Sequence, residues 1–341
     1  MAKTITMRDI AEKVGVSTVT VSKALGDKDG VGSELRMLIK ETAEEMGYHY
    51  SMDANSFRKG RNYRIGVLME EHFTDDNSTA LSFYMRLYHS VVVQLSRFHY
   101  SVLLEMITPQ MLEKMQMPNV ISEMRMDGLI VIGKVQEEYL KLIRGSRTPL
   151  VYLDFYDCNL EVPSVVSDNV YGSYLLTDYL IGLGHRRFAF LGSTDATPSI
   201  MDRYLGYYRA LMEHGLKQDE KRIILDRGKD GLGIPFRLPE REDMPTAFVC
   251  NCDETAYTLI EQLYGMGYRV PEDISVVGFD NYVPGTYTLP KLTTIDVDMD
   301  EMSRQAVEIL IRLMKGQEQV FGRKVVGGKM IIRESAGRVK E

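Results

Sequence analysis

Tryptophan is absent from the 341-residue chain, and only three cysteines are present. Without an indole, the chain has no tryptophan platform for stacking against a sugar ring. Three cysteines do not form the even-numbered disulfide framework of small secreted proteins. Cys250 and Cys252 lie two residues apart and so face the same side of a strand, but no histidine pair is near them to complete a metal site. Buried thiols are therefore favoured over metal or redox chemistry.

Long hydrophobic runs are also missing. No apolar run reaches the roughly 18 residues of a membrane span, and the N-terminus has no hydrophobic core of a signal peptide. Both absences favour a cytoplasmic protein. With 44% hydrophobic and 26% charged residues, the composition is that of an ordinary globular protein of about two domains.

Excess positive charge is a third feature that the chain lacks, since its net charge is −7. The total does not mark a nucleic-acid binder. The distribution is more informative, because the first 62 residues hold ten lysines and arginines against nine acids, whereas the remainder is acidic. The beginning of the chain is therefore relatively basic, which is a hint of a separate function there.

The segment STVTVS (17–22) alternates polar and β-branched residues, a pattern that in isolation is typical of a strand. Its neighbours predict a helix instead. Thr6 followed by Asp9 matches a helix start, and Gly15 is a natural helix stop. Ser17 is a good cap for the next helix, so we predict that STVTVS is helical.

A helix, a short glycine turn and a capped second helix form a helix-turn-helix, whose second helix enters the DNA major groove. Its outward face is predicted to carry Thr18, Val19, Ser22 and Lys23. The hydroxyls can bond bases or phosphates, the valine can touch a thymine methyl, and the lysine can reach guanine or phosphate. A plain three-helix bundle without a ligand is the alternative, but it gives an exposed valine no role in folding.

The stretch TMRDIAEKVGVSTVTVSKAL, followed by a helix that ends in EEMGY, resembles the DNA-binding headpiece of the LacI/GalR family of bacterial transcriptional regulators. The resemblance continues through the body, for example in DRYLGYYRAL (202–211) and PEDISVVGFDN (271–281). It implies a DNA-binding set formed by Thr6, Ser17, Thr18, Val19, Thr20, Ser22, Lys23, Arg36, Ala54, Phe57, Arg58 and Lys59.

The last four of these residues belong to a hinge. In the family, a hinge helix follows the headpiece and pushes a leucine into the minor groove at the operator centre. Ala54 matches a family alanine, whereas Phe57 stands at the leucine position. Phenylalanine also unstacks base steps, so the wedge role is expected to survive. Arg58 and Lys59 suit phosphate contact, and a merely basic linker is the alternative.

From residue 63 onward, short apolar runs alternate with helical segments. The runs lie at 64–71, 101–106, 127–134, 149–155, 187–193, 246–253 and 274–281. Continuous runs of this kind fit strands buried on both faces, and the alternation with helices predicts parallel α/β sheets. There are too many strands for one tidy sheet, so two lobes with a cleft between them are predicted. The resemblance implies the same two-lobed body, similar to periplasmic binding proteins.

The expected fold is therefore an all-α headpiece plus a two-lobed α/β body. We place the headpiece at 1–49, the hinge at 50–62 and an effector-binding and dimerisation domain at 63–341. The first lobe is expected near 63–160 and 292–320, and the second near 161–291 and 321–338.

Ligands of parallel α/β sheets bind beyond the carboxyl ends of the strands. Residues at such ends, together with the family resemblance, give the predicted effector-binding set: Phe73, Asp154, Arg203, Asp253 and Asp280. The resemblance implies that Arg203 contacts effector hydroxyls or carboxylates and that Asp280 is the cleft aspartate. An ion pair for Arg203 and a turn role for Asp280 are the structural alternatives. Cys252–Asp253 replaces the family's usual Asn-Asp, which leaves sugar specificity open.

No enzyme motif is complete, and neither a cofactor nor a metal is expected. Gly322 and Gly327 have phosphate-loop spacing, but Gly328 stands where the lysine should be. The chain is therefore predicted to be a non-enzymatic transcriptional regulator, with repression favoured.

The expected partners are a palindromic operator, a second copy of the chain and a small-molecule effector. Paired headpieces match paired half-sites, which favours a homodimer. A carbohydrate is the favoured effector. The alternatives are a protein or purine corepressor, or a sugar-binding receptor without a DNA function.

Overall fold

A computed structural model describes residues 5–26, 28–46, 63–71, 80–157, 161–217, 219–228, 232–281, 289–317 and 322–340. The chain divides into two compact units between Tyr63 and Arg64, which we call the headpiece and the body. Five of the predicted site residues lie outside the described ranges: Ala54, Phe57, Arg58, Lys59 and Phe73.

The headpiece contains helices α1 (Met7–Val14), α2 (Thr18–Leu25) and α3 (Ser33–Glu45). The helix prediction for STVTVS is thus confirmed. Thr6 and Asp9 form a reciprocal capping box, and Gly15 ends α1 with a left-handed φ of 75°. The Ser17 hydroxyl accepts the backbone N–H of Thr20 at 3.1 Å and so begins α2. These local caps override the β-like alternation of STVTVS.

Six apolar side chains close the headpiece core: Ile10, Ala11, Val21, Ala24, Ile39 and Ala43. Each of the three helices contributes two of them. The helices are too short to be stable alone in water, so this shared core holds them in place.

The body contains twelve described strands in three sheets. In chain order they are β1 (Arg64–Glu70), β2 (Ser101–Ile107), β3 (Gly128–Ile132), β4 (Leu150–Leu153), β5 (Ser164–Ser167), β6 (Phe188–Leu191), β7 (Ile223–Ile224), β8 (Ala247–Cys250), β9 (Ser275–Val277), β10 (Thr294–Asp296), β11 (Arg323–Val326) and β12 (Lys329–Ile331). The first sheet has the order β11-β5-β4-β3-β1-β2, the second has the order β7-β6-β8-β9, and β10 pairs with β12. The two main sheets are parallel and the small ribbon is antiparallel.

The described helices of the body are α4 (Ala80–Ser96), α5 (Pro109–Glu113), α6 (Asn119–Ser122), α7 (Glu137–Gly145), α8 (Asn169–Gly182), α9 (Pro198–Glu213), α10 (Asp253–Gly265) and α11 (Met299–Met314). They cover both faces of the first sheet. In β3, for example, Ile130 and Ile132 join one hydrophobic cluster while Leu129 and Val131 join the other. None of the helices that the structure describes is long and apolar enough to cross a membrane.

All seven predicted runs form strands, but the lobe boundaries differ from the expected ones. Strand β5 pairs with β4, so the first sheet continues past residue 160. Strand β11 pairs with β5, although residues after 320 were expected in the second lobe. Both strands have only four residues, and β11 finds its partner far earlier in the chain, which local hydrophobicity does not reveal.

Helices α8 and α9 pack closely because α9 has a glycine at the crossing. A Cβ atom at Gly206 would overlap the carbonyl oxygen of Val170 on α8. We expect Gly206→Ala to lower the free energy of unfolding by about 3 kcal/mol, because neither backbone can yield without opening the pair. Urea unfolding of the purified protein measures this change.

Gly182 supplies the matched control, since a Cβ there meets nothing within 4 Å. Gly182→Ala should leave the stability unchanged or raise it by up to about 1 kcal/mol, because alanine favours the helix. Equal midpoints for the two variants would contradict the close-packing argument.

Candidate functional site

Helix α2 of the headpiece presents a surface of small side chains. Val21 and Ala24 face the core, whereas Thr18, Val19 and Lys23 are exposed and Ser22 is half-buried. Val19 is 64% exposed, so its two methyl groups are available for contact with a partner. The outer face of α2 can therefore approach a flat polar surface such as a base-pair edge closely.

The other described members of the predicted DNA-binding set make hydrogen bonds inside the headpiece. The hydroxyl oxygens of Ser17 and Thr20 lie 2.8 Å apart, and the Thr6 hydroxyl donates to Asp9 at 2.6 Å. Arg36 on α3 donates through Nη2 to the carbonyl oxygen of Lys28 at 2.8 Å, which ties α3 to the preceding loop. These residues hold α2 and the loop in place, whichever ligand the surface meets.

In the body, Arg203 on α9 is the centre of a buried polar cluster. Its Nε donates to Asn169 Oδ1 at 2.8 Å, its Nη1 to the carbonyl oxygen of Asn251, and its Nη2 to Asp280 Oδ1 at 3.0 Å. The guanidinium also lies 3.9 Å above the ring of Phe279. The sequence alternative of a structural ion pair is therefore partly true, since Arg203 has a salt bridge to Asp280.

Asp154 and Asp280 follow strands of the two different sheets, and both have left-handed backbones. Their φ angles are 67° and 107°, which non-glycine residues rarely adopt. The pKa of Asp154 is raised to about 7, chiefly by burial and also by the neighbouring Asp280, although Arg203 and a hydrogen bond from Tyr84 oppose the shift. Side chains of both lobes therefore meet in one cluster.

Burial also raises the pKa of Asp280, to about 6, although Arg203 opposes the shift. Two carboxyl groups thus lie close to a single guanidinium. Oδ1 of Asp154 is buried and has no hydrogen-bond partner among the described residues. A buried acceptor without a partner is costly, and a ligand that supplies a donor would remove this cost.

The neighbouring wall of the second lobe contains Cys252. The amide nitrogen of the adjacent Asn251 donates to Asp226 Oδ2 at 2.6 Å. Contrary to the alternation expected of an extended chain, the side chains of Asn251 and Cys252 share two neighbours, the Thr255 hydroxyl and Arg227 Nη2. Burial raises the pKa of the Cys252 thiol to about 11, so the thiol is neutral at pH 7. The wall therefore presents a neutral thiol at this position.

Asp253 has a different place from the other predicted effector residues. Its side chain is fully buried, Oδ1 accepts the Thr294 hydroxyl at 2.6 Å, and its backbone N–H donates to Phe279 at 2.8 Å. A Cβ atom at Gly278 would overlap this carboxylate. Asp253 thus supports the loop that carries Asp280, and the structure does not bring it to the cleft surface.

Comparison with known proteins supplies the family. The family model for bacterial regulatory proteins of the lacI family matches residues 6–51 of the sequence. The family model for a periplasmic binding protein-like domain matches residues 177–336. The HTH-type transcriptional repressor PurR of Vibrio atlanticus (strain LGP32) is 30% identical over 318 residues, which cover 92% of this chain and 93% of that protein. The chain belongs to the LacI family of bacterial regulatory proteins.

Further relatives agree with this assignment. The HTH-type transcriptional repressor CytR of Escherichia coli (strain K12) is 28% identical to this LacI-family protein over 337 residues, covering 97% of this chain and 96% of CytR. The lac repressor dimer bound to operator and the anti-inducer ONPF has the same fold, with a TM-score of 0.78, 23% identity and coverage of 98% of this chain and all of that chain. This LacI-family protein is a transcriptional regulator with a DNA-binding helix-turn-helix domain.

Sequence reasoning missed a contact across the cleft of the LacI-family body. The Tyr156 hydroxyl donates to Asp202 Oδ1 at 3.1 Å, and Arg323 Nη1 donates to Asp202 Oδ2, also at 3.1 Å. The Arg323 guanidinium lies 4.5 Å above the Tyr156 ring. Arg323 is the first residue of β11 and Tyr156 follows β4, both in the first sheet, whereas Asp202 precedes Arg203 on α9. This latch therefore joins the first sheet to the helix that carries the central arginine.

Sequence reasoning also missed Asp226, whose hydrogen bonds hold together the residues around Cys252. Asp226 accepts the backbone N–H of Ser193 at 2.9 Å, the Thr255 hydroxyl at 2.9 Å and Arg227 Nη2 at 2.8 Å. Arg227 Nη2 also lies 3.8 Å from the Cys252 sulfur. The only sequence signal for Asp226 is its position after a two-residue strand, which is too short to be recognised from hydrophobicity.

Proposed function

We propose that this LacI-family regulator is a cytoplasmic, homodimeric repressor whose affinity for a palindromic operator is controlled by a carbohydrate bound between the two lobes. The observation that carries the effector site is the Arg203 cluster, with its unpartnered acceptor on Asp154. On the DNA side, the proposal uses the exposed face of α2. The proposal also includes the predicted hinge residues Ala54, Phe57, Arg58 and Lys59. Phe57 is proposed to act as the wedge in the minor groove at the operator centre.

The chemistry of the cluster favours a ligand with several hydrogen-bonding groups. Carboxylates and guanidinium groups can hold adjacent hydroxyls through paired hydrogen bonds. Arg203 is 5% exposed and Asp154 is 6% exposed, so bonds to a ligand here would form in a site with little competing water. The neutral thiol of Cys252 leaves the specificity to be set by the other groups.

The proposed control works through the two lobes. A ligand held by Asp154 and Asp280 at once favours the closed arrangement of the body, which the latch also stabilises. An effector that binds one arrangement better shifts the equilibrium by its difference in affinity, and such couplings are typically about 1–3 kcal/mol.

A thermal-shift screen of the purified protein against neutral sugars, amino sugars, sugar phosphates and purines tests this proposal. A ligand at 100 times its dissociation constant stabilises the folded state by about 2.7 kcal/mol, which moves the transition visibly. We expect a shift for one class of carbohydrate. A shift with purines alone, or no shift with any compound, would overturn the carbohydrate assignment.

The recognition helix is tested by Val19→Ala. Removing two exposed methyl groups should leave the headpiece folded and weaken binding to its preferred duplex about 3- to 10-fold, because contact with a thymine methyl is lost. The duplex is first selected from a random pool with the unaltered protein, and affinity is then measured by gel shift. Met37→Ala on α3, where the side chain is 60% exposed, serves as the control. Equal affinities for Val19→Ala and the unaltered protein would remove Val19 from the DNA-binding surface.

A further inference from the structure

The inner end of the cleft holds more negative than positive groups. Asp154, from the first lobe, and Asp280, from the second, lie near the one guanidinium of Arg203. Each of the three nitrogens of that guanidinium donates a hydrogen bond, to Asn169, Asn251 and Asp280 respectively. Arg203 therefore forms a direct ion pair with only one of the two carboxyl groups.

No second cation compensates Asp154 among the residues that the structure describes. The charged and titratable groups that act on its carboxyl are Arg203 on α9, Asp280 after β9, and Tyr84 on α4. Arg227 is the other arginine of the cluster, and its Nε and Nη2 both donate to Asp226. Oδ1 of Asp154 thus lacks both a donor and a neighbouring positive charge of its own.

We infer that the effector carries a positively charged nitrogen which binds Oδ1 of Asp154, so that its chemical class is an amine-bearing carbohydrate. The inference rests on the proposed effector site. A hydroxyl would supply a hydrogen bond to Oδ1 but would leave the second buried carboxylate uncompensated. An ammonium group supplies the hydrogen bond and the charge together.

The same balance disfavours anionic ligands. A phosphate or carboxylate at this end of the cleft would add negative charge beside two buried carboxyl groups, and the charge of the nearby Arg203 is already paired with Asp280. A neutral sugar is expected to bind with intermediate affinity. It brings no charge to compensate the carboxylate of Asp154, so Asp154 must take up a proton before the cleft closes over the sugar. The expected order of affinity is therefore amine, then hydroxyl, then phosphate.

Matched ligands test this order. For glucose, galactose and ribose, we would compare the parent sugar with its amino-deoxy derivatives and its phosphate ester, using calorimetric titration of the full-length protein at pH 7. We expect at least one amino-deoxy derivative to bind at least tenfold tighter than its parent, and the phosphate at least tenfold weaker. Both margins amount to about 1.4 kcal/mol in binding free energy.

The variant Asp154→Asn assigns the effect to this carboxyl. It should bind the amino and hydroxyl ligands with affinities within about twofold of each other. Asp178→Asn is the control, because Asp178 is exposed and pairs with His214 at 2.7 Å on the surface of the body. That variant should keep the amine preference. If Asp154→Asn does not fold, the order measured with the unaltered protein decides the question.

The outcomes separate the inference from the proposed function. Tighter binding of a parent sugar or a phosphate than of every amine would overturn the amine assignment and leave the carbohydrate site intact. An amine preference that persists in folded Asp154→Asn would also overturn it. Binding of none of these ligands would remove the carbohydrate proposal, and the inference with it.

Discussion

Replacing Arg203 by alanine is expected to destabilise the body by about 3–5 kcal/mol, the usual cost of breaking a buried ion pair from one side. The substitution leaves Asp280 buried without its partner and removes the donors to Asn169 and Asn251. Chemical unfolding, followed by circular dichroism, measures the loss. Effector binding should be lost as well, because the cluster loses the guanidinium that donates to Asp280.

The loss should depend on pH in a defined direction. Without the guanidinium, the pKa values of Asp154 and Asp280 rise further above the values of an unfolded chain. A carboxyl whose folded pKa is raised stabilises the fold at low pH, and this stability is lost as the pH rises through the folded pKa. Arg203→Ala should therefore be less destabilised at pH 5 than at pH 8.

Arg209 on the same helix is the control, since its pair with Glu213 is exposed. Arg209→Ala should leave the unfolding transition nearly unchanged at both pH values. A similar small effect for Arg203→Ala would mean that the cluster does not hold the second lobe together.

Ile39→Ala should unfold the headpiece while the body remains folded. Ile39 is fully buried between the three helices, and its truncation costs about 2–5 kcal/mol. The free energy of unfolding of a unit of this size rarely exceeds about 3–5 kcal/mol, so the substitution would remove most of it. Operator binding should fall to the non-specific level, and effector binding should stay unchanged.

The neighbouring Leu38 distinguishes loss of the core from a general effect on α3. Its side chain is 50% exposed, so Leu38→Ala should change the headpiece stability by less than about 0.5 kcal/mol. Amide hydrogen exchange over residues 5–46 compares the two variants directly. Protection that persists in Ile39→Ala would contradict the assignment of this core.

The headpiece could be predicted well because its signals are local. Thr6, Gly15 and Ser17 start and stop the helices within a few residues, and these positions outweighed the strand-like pattern of STVTVS. The strands of the body were also evident wherever they formed continuous apolar runs. The lobe boundaries were not evident, because β5 is a four-residue strand and β11 pairs with it across more than 150 residues of sequence.

The site was predictable to a lesser degree. The strand-end rule and the family resemblance predicted Asp154, Arg203 and Asp280 as one site, and the fold brings these three side chains together. The same rule placed Asp253 at the correct edge of the sheet but could not reveal that Thr294 and Gly278 enclose its carboxylate. Asp202 was missed because its partners Tyr156 and Arg323 come from distant parts of the chain.

The place of β11 in the first sheet also affects how the protein is made. The headpiece has all of its core residues once residue 43 has left the ribosome, whereas the first sheet of the body lacks its edge strand until residue 326. At about 5–20 residues per second, the roughly 280 intervening residues take about 15–60 s to translate. During that interval the edge of β5 has no strand to pair with, and open edges of this kind can pair with other nascent chains. Each newly made chain thus has a complete DNA-binding unit before it has a complete body to regulate it.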